Sequence, residues 1–304
     1  MGALEGRVAI ITGAGRGIGR AHALLFASEG AKLVVNDLGC TVNGLGDDRT
    51  SAQEVVDEIS QMGGEAIANT DDVSDWEGGR RVVDAALEAF GDLHILVNNA
   101  GIIRDRVLVN MTEEEWDAVM HVNVNGHFVP TRWAATYWRE QSKAGRDVSA
   151  AVVNTSSTSG LLGNPGQSNY GTAKAGIAAF TVIAAQELSR YGVRVNAIVP
   201  AARSRITEST PGLSDIVQAP LDPDVFDSWD PANVAPLVAY LASESCPFTG
   251  KVFFIQGGSV QYFQPWTFGA GIDKAGRWTV EELAVEVPKI VGGVVKPSGE
   301  SRTR

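Results

Sequence analysis

Val8-Ala9-Ile10-Ile11-Thr12-Gly13-Ala14-Gly15-Arg16-Gly17-Ile18-Gly19 is the stretch whose reading decides the fold. Its first five residues are apolar or β-branched at consecutive positions, the mark of a strand buried on both faces. The glycines that follow let the chain turn sharply, and a helical pattern starts at Ile18. Backbone N–H groups at the start of such a helix form a positive end that suits a pyrophosphate. Gly13, Arg16, Gly17, Ile18 and Gly19 are therefore candidate cofactor-binding residues. The spacing Gly13-xxx-Gly17-x-Gly19 differs from GxGxxG, and taken alone it also fits a tight turn with no ligand.

Outward from this turn, short β-branched runs alternate with longer helical patterns. Strands are expected over residues 8–12, 32–37, 65–72, 94–100, 150–157, 193–200 and 251–257. Helices are expected over 18–28, 51–62, 76–90, 113–141, 169–191 and 233–243, the fourth breaking near 123–126. Strict alternation implies right-handed βαβ crossovers. The expected class is α/β: a single-domain Rossmann-type, doubly wound, seven-stranded parallel sheet with helices on both faces and a C-terminal extension. Residues 1–258 are assigned to that domain and 259–304 to the extension. There Thr279 would cap a helix over Val280–Ile290, with Glu282 completing a capping box. The aromatic residues at 262–268 would either cover a substrate cleft or pack the extension onto the core, and 297–304 would fray. A glycine-rich connection at 39–50 and a proline-bearing stretch at 203–230 exceed a minimal version of this plan.

Composition narrows the function classes. With 44% hydrophobic and 20% charged residues, 34 Gly and 12 Pro, the 304-residue chain is neither collagen-like, coiled-coil nor disordered. Lys plus Arg number 25 against 36 Asp plus Glu, a formal charge of −11 that repels nucleic-acid backbones. Cys40 and Cys246 lie far apart with no CxxC spacing, so a reducing compartment is expected. His22, His94, His121 and His127 show no ligand spacing, and no metal is expected. The start has no apolar signal core, the myristoylation and peroxisomal patterns are absent, and the longest apolar run (175–185) is about half a membrane span. A cytoplasmic protein with no membrane partner is the expectation.

Other residues at strand ends carry chemistry. Asp37 closes the second strand 18 residues after Gly19, where a carboxylate binds ribose hydroxyls and repels a 2′-phosphate. That favours NAD. Arg16 pulls the other way, since a guanidinium in the turn can bind that phosphate. Tyr170 and Lys174 sit four apart near a helix start and so share a face. A free phenol titrates near ~10, too high for a base at neutral pH, but a lysine cation and a positive nicotinamide ring would favour the phenolate. Ser156, Ser157, Thr158 and Ser159 crowd the end of the fifth strand. Asn98-Asn99-Ala100-Gly101 closes the fourth and Asp72-Val73 the third. Ligands of open α/β sheets bind beyond these carboxyl ends.

In this order, TGxxxGxG, the strand-two Asp, DV, NNAG, Ser and YxxxK resemble the short-chain dehydrogenase/reductase superfamily over about residues 5–260. The resemblance implies an NAD-dependent oxidoreductase. Ser157, thirteen residues before Tyr170, would orient the substrate carbonyl. Tyr170 would be the general acid/base, and Lys174 would tune it and hold the nicotinamide ribose. Asn123 would support a proton-relay water, with Asn125 a weaker rival. Asp72, Val73, Asn99, Ala100, Gly101 and Pro200 would complete the cofactor site. Such enzymes are homodimers or homotetramers, and the helices at 113–141 and 169–190 carry apolar stripes suited to pairing.

A narrower resemblance joins Val34-Val35-Asn36-Asp37-Leu38-Gly39, the loop after it, NNAGIIRDR at 98–106, the stretch 200–207 and the stretch 235–246 to the dehydrogenase domain of peroxisomal multifunctional β-oxidation enzymes. It implies oxidation of (3R)-3-hydroxyacyl-CoA to 3-oxoacyl-CoA, with a separate hydratase acting in the pathway. A steroid-like alcohol is the second substrate reading. NNAGIIRD is also similar to 3-oxoacyl-carrier-protein reductases. The usual Pro-Gly after strand six is Pro200-Ala201 here, and Arg104, Arg106, Arg203 and Arg205 are candidates either for CoA phosphates or for plain loop charge.

Overall fold

The structure, a computed structural model, describes residues 2–46, 48, 50–209, 214–222, 224–264 and 266–291. Two compact units divide it, Met1–Phe263 and Gln264–Arg304. In the first, β1 (Val8–Thr12), α1 (Gly17–Ser28), β2 (Lys32–Asn36), α2 (Thr50–Gln61), β3 (Glu65–Asn69), α3 (Trp76–Phe90) and β4 (Ile95–Asn98) follow one another in the expected alternation. Next come α4 (Glu113–Met120), α5 (Gly126–Lys143), β5 (Ala150–Thr155), α6 (Thr158–Leu161), α7 (Ser168–Leu188), β6 (Val193–Pro200), α8 (Arg205–Ser209), α9 (Ala235–Ala242), β7 (Val252–Gln256) and β8 (Ser259–Phe263). The expected break in the long fourth helix is a π-helical turn, His121–Asn125, between α4 and α5.

The sheet order is β3-β2-β1-β4-β5-β6-β7-β8. Seven strands run parallel as expected, but the sheet has eight. The last, β8, folds back antiparallel on β7, with Gln256 opposite Ser259 across the Gly257-Gly258 turn. Gly257 has φ +51, a value that makes a two-residue hairpin turn possible at the point where the sequence was expected to leave the sheet. Residues 259–263, expected in the extension, are thus an edge strand. The other strands end a little earlier than predicted, at Asn69, Asn98 and Thr155, so the polar residues beyond them are loops. The short helix α6 was not foreseen; α8 falls in the 203–230 stretch, which was expected to hold at most short helices.

Successive strand residues point to opposite faces, and the core follows. Ala9, Ile11, Leu33, Val35 and Ile95 meet Phe26 of α1, Ile59 of α2 and Leu241 of α9 on one face. Val8, Ile10, Leu96 and Val152 meet Val82 of α3, Trp138 of α5 and Ala184 of α7 on the other. Burial on both faces explains the consecutive apolar runs. Register then aligns the strand ends: Thr12 beside Asn36, Asn98 beside Asn154, and Thr155 beside Ile198. Strand order reverses between β1 and β4, which both lead from these ends into the glycine turn and NNAG.

In the second unit α10 (Val280–Ile290) carries the expected Thr279–Glu282 capping box. Lys274 bonds Glu282 and lies 5.1 Å from the Trp278 ring centroid. The fraying expected at 297–304 lies outside the described residues.

Candidate active site

The glycine turn joins β1 to α1 and is locked from the side by the end of β4. Thr12 Oγ1 accepts from the backbone N–H of Asn99 (3.0 Å) and Ala100 (3.1 Å). The Asn99 amide donates back to the carbonyls of Thr12 and Gly13, both at 3.0 Å. Gly19 has no alternative: a Cβ there would stand 2.1 Å from the Gly13 carbonyl oxygen. The first turn of α1 has no side-chain cap and no acidic residue, so its free N–H groups are uncontested. A pyrophosphate fits this cradle. Ile18 packs against the core beside it.

Asp37 is buried just beyond β2. Its Oδ2 accepts from Gly15 N–H (2.8 Å) and its Oδ1 from Gly39 N–H (2.7 Å), which fixes the carboxylate at the edge of the turn. Arg16, the residue that argued for a 2′-phosphate, is ion-paired with Asp48 of the long loop. Sequence reasoning missed Asp48. Asp72 Oδ1 accepts from Ser74 N–H and Oγ, while Val73 is buried in the core.

Tyr170 and Lys174 lie in the first turns of α7, both buried, with the Lys174 ammonium 5.5 Å from the phenol ring centroid. Ser157, the half-buried N-cap of α6, accepts from Ser159 N–H at 3.2 Å, and its hydroxyl is close enough to Tyr170 to favour the phenolate. The three residues are brought together as expected. Their charge states are not. Burial pushes the Tyr170 hydroxyl up to about 12; Ser157 opposes this and the nearby Asp105 carboxylate adds to it. Burial also pulls Lys174 down to about 7. Burial thus opposes the phenolate, and the expected help must come chiefly from the nicotinamide ring.

Asn123 sits in the π turn, buried, donating to the carbonyls of Ile102 (2.9 Å) and Val119 (3.0 Å). Its Oδ1 has no partner. A Cβ on Gly101 would meet that oxygen at 2.6 Å and Lys174 Nζ at 3.5 Å, so the glycine opens the space onto which both atoms face. Lys174 Nζ donates to Thr155 O at 2.8 Å. An unpaired acceptor beside a lysine donor is the polarity a relay water would use. Asn125, the rival, bonds exposed His121 instead. His127 was expected to be a satisfied histidine; it bridges Asn123 O (2.8 Å) and Thr155 N (3.3 Å), and burial holds it neutral. Pro200 ends β6 opposite Ile255.

A second ring of residues seats Tyr170, and no sequence signal marked it. Asn169 donates to the carbonyls of Arg104 (2.9 Å) and Glu115 (3.0 Å), tying α7 to the loop after β4 and to α4. Gln167 donates to Asp105 at 2.9 Å, and Arg106 N–H to Gly166 O at 2.8 Å. The four candidate arginines are all engaged: Arg104 with Asn43 O and Glu114, Arg106 with Glu115, Arg203 with Asp227, and Arg205 with Cys40 O.

A glycine turn, a carboxylate fixed beside it and a Ser157/Tyr170/Lys174 set, the last two buried, at one sheet edge narrow the choice to one family. The sequence profile described as short chain dehydrogenase matches residues 7–211. The chain belongs to the short-chain dehydrogenase family. It is an oxidoreductase fold, and similar proteins share more than the motifs. Hydroxyacyl-CoA dehydrogenase ChsB1 of Mycobacterium tuberculosis is 43% identical over 86% of this chain and 81% of its own length. The peroxisomal multifunctional enzyme type 2 of Drosophila melanogaster is 46% identical over 81% of this chain, which spans 38% of that longer protein. A crystal structure of a short chain dehydrogenase from Mycobacterium avium superposes with a TM-score of 0.84 at 47% identity, covering 97% of this chain and 98% of that one. Among the described residues no three His, Cys, Asp or Glu side chains stand close enough to hold a metal, and no helix is long and apolar enough to cross a membrane.

Proposed function

We propose that this short-chain dehydrogenase oxidises a (3R)-3-hydroxyacyl-CoA to the 3-oxoacyl-CoA with NAD. The observation that carries the reaction type is the Ser157–Tyr170–Lys174 set, with Tyr170 and Lys174 buried, at the sheet edge that also carries the glycine cradle. ChsB1, named a hydroxyacyl-CoA dehydrogenase, supports the substrate class. Asp37 at the turn and the pairing of Arg16 with Asp48 support NAD over NADP.

When bound, NAD supplies a hydride acceptor. Tyr170 Oη takes the proton of the substrate hydroxyl, and Ser157 Oγ holds the oxygen as it becomes a carbonyl. Lys174 Nζ and the Asn123 pocket then pass the proton outward through water. A CoA ester is anionic, and so is the chain. The ester's phosphates would therefore need local positive charge, and Arg104, whose partner Glu114 is exposed, and the exposed Arg106 stand on the loop after β4.

A homodimer or homotetramer is the assembly we infer. Trp76, Phe128, Trp133 and Phe180 form an aromatic cluster across α3, α5 and α7, with Arg132 4.3 Å from the Trp133 centroid. Phe128 and Ile183 remain exposed there. The deciding experiment is NADH formation with (3R)- and (3S)-hydroxyacyl-CoA esters of graded bulk beside free hydroxysteroids. Activity with the (3R) thioesters is expected; activity confined to free alcohols rejects the thioester reading.

A further inference from the structure

The connection at 39–50 is longer than a strand-to-helix turn needs, and its far end returns to the cofactor cradle. Gly39 has φ +79, and a Cβ there would stand 2.2 Å from Asp48 O, so Asp48 packs directly on the backbone two residues past Asp37. Asp48 N–H donates to Gly39 O at 3.1 Å. Its carboxylate is held on two sides. Thr50 Oγ1 donates to Oδ1 at 2.6 Å, and Oδ2 pairs with Arg16 Nη2. Its carbonyl accepts from Ser51 Oγ at 3.2 Å. Ser51 is in turn the residue that a Cβ on Gly15 would strike at 2.7 Å, with Asp37 Oδ2 at 2.9 Å. Arg16, Asp37, Asp48 and Ser51 thus converge on one side of Gly15.

We propose that Asp48 is a specificity-determining residue, acting by withholding Arg16 from the 2′-phosphate of NADP. The proposal rests on the NAD reading of the site and adds a second carboxylate to it. Asp37 repels that phosphate directly. Arg16, placed in the turn, is the cation that would otherwise receive it, and Asp48 keeps the guanidinium neutralised and turned toward the loop. With Asp48 present the three charges at Gly15 sum to one negative; without it they cancel. A 2′-phosphate carries close to two negative charges, whereas a ribose hydroxyl carries none, so the substitution discriminates between the two cofactors.

The test is a binding cycle with the full-length chain. NADH and NADPH are titrated by nucleotide fluorescence into the wild type, Asp48→Asn, Arg16→Ala and the double variant. Asp48→Asn is expected to tighten NADPH about tenfold and to move NADH by less than about threefold. In the Arg16→Ala background the same substitution is expected to leave NADPH within about twofold, since the cation it releases is gone. A flat NADPH affinity in Asp48→Asn, an equal change for both nucleotides, or the same gain without Arg16 overturns the proposal while the NAD reading stands. A wild type that binds NADPH more tightly than NADH overturns the NAD reading and the proposal with it.

Discussion

Lys174→Met removes a charge that burial penalises, and the gain in stability should depend on pH in a defined sense. The ammonium is drawn down from its ordinary value of 10.5 to about 7, and burial is the cause. In the unfolded chain the same group titrates near ~10.4. Between these values the unfolded chain binds a proton that the folded chain has released, so wild-type stability climbs as pH rises from about 7 to about 10. Below about 7 the whole penalty is present. The separation is worth about 4 to 5 kcal/mol at roughly 1.4 kcal/mol per tenfold in proton affinity. Loss of the 2.8 Å bond to Thr155 O offsets about 1 kcal/mol of that.

A net stabilisation of about 3 kcal/mol is therefore expected for Lys174→Met at pH 6, shrinking toward zero by pH 10. Urea unfolding at pH 6, 8 and 10 without nucleotide reads it directly, as a shift in midpoint at constant slope. A variant no more stable than the wild type at pH 6 would refute the reasoning. So would a stability difference that fails to shrink with rising pH. Turnover should be lost in the same variant, so that stability and activity move in opposite directions at one residue.

Two further outcomes are expected. Tyr170→Phe should lower turnover by about 10³-fold or more while NADH affinity stays within about threefold, by steady-state rates and fluorescence titration; turnover within a few-fold of wild type removes Tyr170 from the reaction. Thr12→Val leaves the N–H groups of Asn99 and Ala100 without their acceptor, and urea unfolding should show a loss of about 2–4 kcal/mol; a loss under about 1 means that water replaces the hydroxyl.

The fold was legible because its core is built from local patterns. Ile10 and Ile11 face opposite helical layers, and a strand covered on both sides has to be apolar at both positions. The break in the long fourth helix was legible from Asn123 and Gly126, although its π form was not. The edge strand β8 was missed for a physical reason. Its residues Ser259, Val260, Gln261 and Tyr262 are exposed, so no burial period marks them, and the Gly257-Gly258 turn reads equally well as an exit from the sheet. Asn169 and Gln167 were invisible for another reason. Each acts through a carbonyl or carboxylate some 50 or more residues away, at Arg104, Glu115 and Asp105, and only the folded chain brings these together.

The reacting groups were legible, but their ionisation was not. Tyr170 and Lys174 are fixed by spacing on one helix face, whereas their proton affinities depend on what closes over that face. Ile102, Ile103 and Val119 pack with Tyr170 and Ala173, with Val42 of the long loop and Ile206 of α8 against them. Arg104 reaches Asn43 O and Arg205 reaches Cys40 O across the same ground, while Asp48 at the other end of that loop holds Arg16. One loop thus joins the cover over Tyr170 to the Asp37 end of the glycine turn. Burial raises the phenol and lowers the ammonium together, so near neutral pH the phenol keeps its proton and the ammonium sits close to its midpoint. Proton abstraction at that pH needs positive charge that Lys174 does not supply alone, and the same burial that withholds it makes any arriving cation count for more than it would in water.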